Sequence, residues 1–107
     1  MKICWIISDG SACFCRDDTD EGTDFAVGAA ASSPADVASW MTDQYTQLTA
    51  QDTDTMNALY PLQAPVPNHP PYFPSLAAAY GEATFVCPGL EISSAFAEHG
   101  IESWNYR

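Results

Sequence analysis

The run Thr19-Asp20-Glu21-Gly22-Thr23-Asp24-Phe25 decides how this chain is read. It sits in the densest patch of acid in the sequence, Asp17, Asp18, Asp20, Glu21 and Asp24, and no lysine or arginine follows before Arg107. On charge alone these are solvated side chains among like neighbours. A calcium loop beginning at Asp17 would put Gly22 at its sixth position, as such a loop requires. It would also put Gly28 where a bidentate glutamate belongs and Thr19, a weak ligand, at the third position. The run is therefore a poor calcium site, and the interest falls on Glu21 and its glycine.

Around this patch the charge balance excludes several partners. Lysine and arginine total 3 against 14 acids, a net charge of -11, and the three cations are Lys2, Arg16 and Arg107. Nucleic acid and anionic membrane surfaces need clustered cations and are poor partners. No stretch approaches the ~18 uninterrupted apolar residues of a membrane span, while 47% hydrophobic residues suffice for a core. The chain reads as soluble and as one compact unit at most. Met1 to Ile7 holds a lysine and an apolar patch, but the patch is shorter than the ~7–15 residues of a signal core, so location stays unassigned. Cys4, Cys13, Cys15 and Cys87 allow two disulfides, one or none. Cys13-Phe14-Cys15 is too tight and isolated for zinc, which takes paired ligand clusters. No metal or other cofactor is implied.

Along the chain, Ile3 to Ile7 reads as a short buried strand, with Ser8-Asp9-Gly10-Ser11 as a turn. Ser33-Pro34-Ala35-Asp36 opens a helix, with Ser33 as cap and Val37, Trp40 and Met41 on one face. A second helix opens at Thr49 with Asp52 as a short-armed capping-box partner. It presents Met56, Leu59 and Tyr60 and stops at Pro61. Pro61 to Pro71 holds most of the prolines and is a loop, since proline lacks a donor and has a fixed φ. From Pro74 the pattern is helical, with Leu76 and Tyr80 four apart, to about Val86. Pro88-Gly89 marks a break or kink, Leu90 to Ala97 is a further helix, and Gly100 is a left-handed cap. Ile101 to Arg107 alternates as a strand does.

The Asp20-Glu21-Gly22-Thr23 run resembles the acid-bearing segment of the type-B carboxylesterase/lipase family of α/β-hydrolases. Further counterparts to that family's pattern follow in order: Tyr60-Pro61, a variable loop to Pro71, Gly81-Glu82-Ala83-Thr84-Phe85-Val86-Cys87-Pro88, a helix to Gly100, and Trp104-Asn105-Tyr106-Arg107. The resemblance covers about residues 19–107. It implies an α/β parent fold of which this chain is a mainly α-helical fragment with one or two short strands. Residues 1–16 match poorly and residues 17–107 correspond to a partial type-B carboxylesterase domain. The family places a strand shortly before the acid, for which Ile3 to Ile7 is the candidate, and Cys13-Phe14-Cys15-Arg16 finds no match.

The resemblance implies that Glu21 is the acid of a Ser-Glu-His triad that hydrolyses carboxylic esters, the family's members often being secreted. The remaining chemistry is missing. None of the serines stands in Gly-x-Ser-x-Gly, and no Gly-rich oxyanion segment is present. The family's histidine would fall after the strand that ends at Arg107. His69 lies in the proline loop and His99 closes a helix, where its ring suits the C-terminal dipole. In some family members the cysteine at the place of Cys87 pairs with one much further downstream. The leading expectation is an esterase fragment that carries only the triad acid and is inactive alone. Alternatives are a small acidic non-catalytic binding module, or a helical partner that associates through apolar faces around Trp40, Met41, Leu59, Phe85 and Phe96.

Overall fold

The computed structural model describes residues 3–6, 12–16, 21–26 and 29–106. Strands β1 (Ile3–Ile6) and β2 (Ala12–Arg16) come first, then helix α1 (Glu21–Ala26). Helices α2 (Pro34–Gln44), α3 (Ala50–Leu59) and α4 (Phe73–Gly81) follow. A π-helical turn (Glu82–Val86) joins α4 to α5 (Cys87–Glu98), and β3 (Glu102–Tyr106) ends the order. The chain is mainly helical, as expected of this sequence. The strand count departs from expectation: β2 covers Cys13-Phe14-Cys15-Arg16, which was not read as a strand at all.

Those strands form one sheet in the order β1-β2-β3. β1 pairs antiparallel with β2, Ile3 opposite Arg16, and β2 pairs parallel with β3, Ala12 opposite Glu102. Parallel neighbours require a crossover, and here the helices from α1 to α5 supply it. α5 covers the sheet, packing on both β2 and β3. The strand directly before Glu21 is thus β2, in place of Ile3 to Ile7.

Local chemistry sets the helix starts. Ser33 has extended backbone, and its Oγ accepts the Asp36 N–H at 3.2 Å, while the Asp36 carboxylate accepts the Ser32 N–H at 3.0 Å. At α3 both halves of the capping box form. Thr49 Oγ1 accepts the Asp52 N–H at 3.2 Å, and Asp52 Oδ2 accepts the Thr49 N–H at 2.8 Å and its hydroxyl at 2.7 Å. The Thr49 hydroxyl, and then its backbone N–H, hold the Asp52 carboxyl below the ordinary carboxylate range. α3 ends at Leu59, before Tyr60-Pro61, because a residue ahead of proline is pushed out of helical backbone.

The core gathers around α4. Phe73 and Leu76 are fully covered, with Ala26, Ala29, Ala31, Val37, Met41, Ala77 and Ala79 packed about them. The buried Ser75 hydroxyl donates to the Pro61 carbonyl at 2.7 Å and ties the proline loop to the helix. The Tyr72 N–H donates to the Ala31 carbonyl at 2.9 Å and fixes the start of α4 to the segment before α2. Trp40 meets Tyr80 edge to face at 5.0 Å. Gly100 takes φ of 73°, the left-handed cap read from sequence.

Two expectations need correction. Leu59 is 70% exposed, so α3 packs through Met56 and Tyr60 while Leu59 faces away. Pro88-Gly89 does not break the helix: α5 begins at Cys87 rather than Leu90, and the irregularity of the helix here is the π turn that joins it to α4. Proline has no N–H for the carbonyl four residues back. The chain adapts by widening the turn before it, so that the Cys87 N–H reaches the Glu82 carbonyl five residues back and Pro88 sits in the first turn of α5.

Helices α1 and α4 meet at Gly22, which lies against Ala77 and Gly81. A Cβ on Gly22 would lie 2.0 Å from the Ala77 carbonyl oxygen and 2.8 Å from Gly81 Cα, both backbone atoms, whereas one on Gly81 would lie 3.2 Å from Gly22 Cα. Alanine raises intrinsic helix propensity by about 1 kcal/mol at either position. Gly22→Ala is nevertheless expected to lower stability in urea unfolding by about 1–3 kcal/mol or more through overpacking, and Gly81→Ala to stay within about 1 kcal/mol of the parent. Equal stability of Gly22→Ala and the parent chain would refute the crossing.

Thr49→Ala should cost about 1 kcal/mol through loss of the cap. The folded-state pKa of Asp52 is depressed, so its contribution is present above the unfolded-state value and fades as pH falls through the folded value. Melting temperatures taken from neutral to acid pH should therefore fall less steeply in Asp52→Asn than in the parent. Parallel curves would show that the carboxylate is not the titrating cap.

Candidate functional site

Glu21 is the first residue of α1 and follows the end of β2 by five residues. A sheet strand shortly before the acid is the arrangement that the family resemblance implies. The Glu21 side chain, together with Asp17, Asp18 and Asp20, lies outside the described residues. What the structure describes is how the start of α1 is seated. Gly22 is buried against α4 at Ala77 and Gly81. Three residues on, Phe25 stacks on Phe85 of the π turn at 5.3 Å and lies 6.2 Å from Tyr80. One turn of helix is thus pinned at both ends, by backbone contact and by aromatic packing. Thr23 and Asp24 point outward and are exposed.

The other residues considered for catalysis are engaged elsewhere. His69 lies in the proline loop, and its ring stacks on Phe73 at 4.0 Å, which leaves it half-buried. Its loop turns at Asn68, which takes φ of 64°, and the His69 N–H closes on the Val66 carbonyl at 3.2 Å. His99 Nδ1 lies 2.8 Å from the Ala95 carbonyl, the C-terminal helix contact expected of it. Both rings are held by local contacts. Ser75 is consumed by its bond to Pro61. Cys87 is an exposed free thiol at the start of α5, while the side chains of Cys4, Cys13 and Cys15 lie outside the described residues.

Of the apolar faces expected to be open, Met41 and Phe85 are buried in the core and Trp40 is packed against it. The large apolar side chains left open are Phe25, Leu59, Leu62, Leu90 and Trp104, each more than two-fifths exposed. Among the described residues no group of histidine, cysteine, aspartate or glutamate is arranged to hold a metal ion, and no helix is long and apolar enough to cross a membrane. Nothing in the residue pattern marks Gly22 for a packing role, since a glycine after an acid reads equally well as a turn.

No protein-family model and no curated protein matches the chain. Among solved structures it is similar to Aspergillus niger EstA, an esterase, with a TM-score of 0.79 and 43% identity over 88% of this chain. The match takes in 18% of the EstA chain. At that identity the likeness is one of sequence as well as backbone, and the chain is similar to a segment of an esterase.

Proposed function

We propose that this chain is the acid-bearing segment of a type-B carboxylesterase of the α/β-hydrolase fold, with Glu21 as the triad acid, and that it does not hydrolyse esters by itself. The observation that carries the reading is the likeness to EstA, 43% identical across 88% of the chain. The seating of α1 supports it. A triad acid must hold an imidazole in one tautomer and one orientation, which calls for a backbone that does not swing, and Gly22 and Phe25 fasten the turn on which Glu21 stands.

In the complete site, a serine attacks the ester carbonyl, a histidine takes the serine proton and passes it to the leaving alcohol, and the Glu21 carboxylate accepts the imidazole N–H and stabilises its charged form. The sequence has no Gly-x-Ser-x-Gly turn to supply that serine. The substrate class is therefore carboxylic esters for the whole enzyme, and Glu21 contributes orientation rather than bond making.

A chimera tests the role of Glu21. EstA with its matched segment replaced by residues 19–107 of this chain is expected to hydrolyse a p-nitrophenyl ester. Glu21→Gln within the chimera should lower kcat by about 10⁴-fold with little change in KM. An active chimera indifferent to Glu21→Gln would refute the assignment. The isolated chain is expected to show no turnover above buffer, and turnover abolished by Glu21→Gln would overturn its inactivity.

The exposed Phe25, Leu59, Leu62, Leu90 and Trp104 support a companion expectation, self-association of the isolated chain through apolar surface. Its sedimentation coefficient should rise with concentration, and Leu90→Glu should reduce that rise. A concentration-independent monomer counts against it.

A further inference from the structure

A groove of about 420 Å³ opens between α2, α3 and the π turn, within the usual range of about 300–1,000 Å³ for small-molecule sites. Its floor and walls are apolar, with Met41, Leu48 and Met56 prominent, and two aromatic rings, Tyr45 and Tyr60, line it beside Glu82. Glu82 is the only acidic or basic residue among the lining groups.

Three facts define what would fill it. The Tyr60 hydroxyl donates to Glu82 Oε2, and no residue among those described donates to Oε1. The Tyr45 hydroxyl is engaged with Thr84, which fixes the second ring. The chain has no lysine or arginine between residues 17 and 106, and none lines this groove. Burial and the neighbouring Glu82 hold the Tyr60 phenol protonated well above its ordinary range, and it stays a donor. A carboxylate and two π faces attract a cation, methionines adapt to varied apolar shapes, and a net charge of -11 repels anions.

We propose that this groove binds a small amphipathic amine, its ammonium group placed between the Glu82 carboxylate and the rings of Tyr45 and Tyr60 and its apolar body lying on Met41, Leu48 and Met56. The site uses none of the residues assigned to ester hydrolysis and stands independently of that reading. The π turn makes it possible, since it carries Glu82 to the groove while Phe85, three residues on, is buried.

Phenylbutylamine serves as the probe, with phenylbutanol and phenylbutyrate as its neutral and anionic counterparts, titrated into the full chain by calorimetry and by methyl NMR. The amine is expected to bind about tenfold more tightly than the alcohol, the gain of one partly exposed cation site, and the carboxylate more weakly than either. Shifts should centre on the Met41 and Met56 methyl groups. Glu82→Gln, which keeps an acceptor for Tyr60, should bring the amine down to the affinity of the alcohol and leave the alcohol unchanged. Ala83→Arg, at an exposed position lining the same groove, should abolish the amine's advantage by pairing Glu82 internally. Equal affinity of amine and alcohol in the parent chain, an undiminished amine affinity in Glu82→Gln, shifts confined to other parts of the chain, or no binding at millimolar amine would each overturn the proposal.

Discussion

The contact between Gly22 and Gly81 is the constraint on which the rest of the structure depends. The backbones come this close because Gly22 carries no side chain: the Ala77 carbonyl lies directly over the place its Cβ would take, whereas a Cβ on Gly81 would meet Gly22 Cα at 3.2 Å. With α1 lowered onto α4, Phe25 reaches Phe85 and Tyr80, and the ring cluster that includes Trp40 and Tyr45 closes over the end of α4. A wider crossing would lift Phe25 away from Phe85 and move the acid-bearing turn away from the body of the helices. A sequence requirement for glycine after Glu21 is thus a requirement of packing, and its consequence for function is positional.

The same economy of side-chain volume runs through the core. Ala26, Ala29, Ala31, Ala77 and Ala79 make up much of the buried set around Phe73 and Leu76, so elements approach closely but each contributes little apolar area. The radius of gyration is 16.0 Å, against about 13 Å for a compact unit of this length. The elongated shape leaves Phe25, Leu90 and Trp104 open. A three-stranded sheet covered by α5, with small alanine-lined contacts between helices, is the arrangement of a piece that shares a larger layered fold. The likeness to 18% of EstA agrees with this.

The local signals in the sequence were legible because each is a short-range hydrogen bond with a fixed residue requirement. Ser33 and Thr49 cap where their side chains and spacing said they would, Pro61 stops α3, and Gly100 takes positive φ. What could not be read was settled by tertiary contact. Leu59 has the periodicity of a core residue, yet α3 meets its neighbours through Met56 and Tyr60. β2 lacks a periodic pattern of its own and is a strand because β1 and β3 pair with it on both sides. Its recognition supplies the strand before the acid that Ile3 to Ile7 had seemed to provide. Glu21 itself was visible only through likeness to a family pattern, because an acid among acids carries no local signature.

The π turn shows how one local conflict shapes two distant surfaces. Pro88 leaves a carbonyl without its donor, and a five-residue reach from Cys87 to Glu82 relieves the crowding without ending the helix. An extra residue in a helical turn rotates everything after it by about 100°. Gly81 before the widened turn faces Gly22, Phe85 within it packs under Phe25, and in α5 beyond it Gly89 and Ser93 are buried while Leu90 points outward at 53% exposure. Glu82, at the first position of the widened turn, is left beside Tyr60, whose hydroxyl donates to it. Pro88 thus sits in the first turn of a helix that continues from α4, and the widened turn before it carries both Phe85, which packs under the acid-bearing turn at Phe25, and Glu82, which lines the groove beside Tyr60.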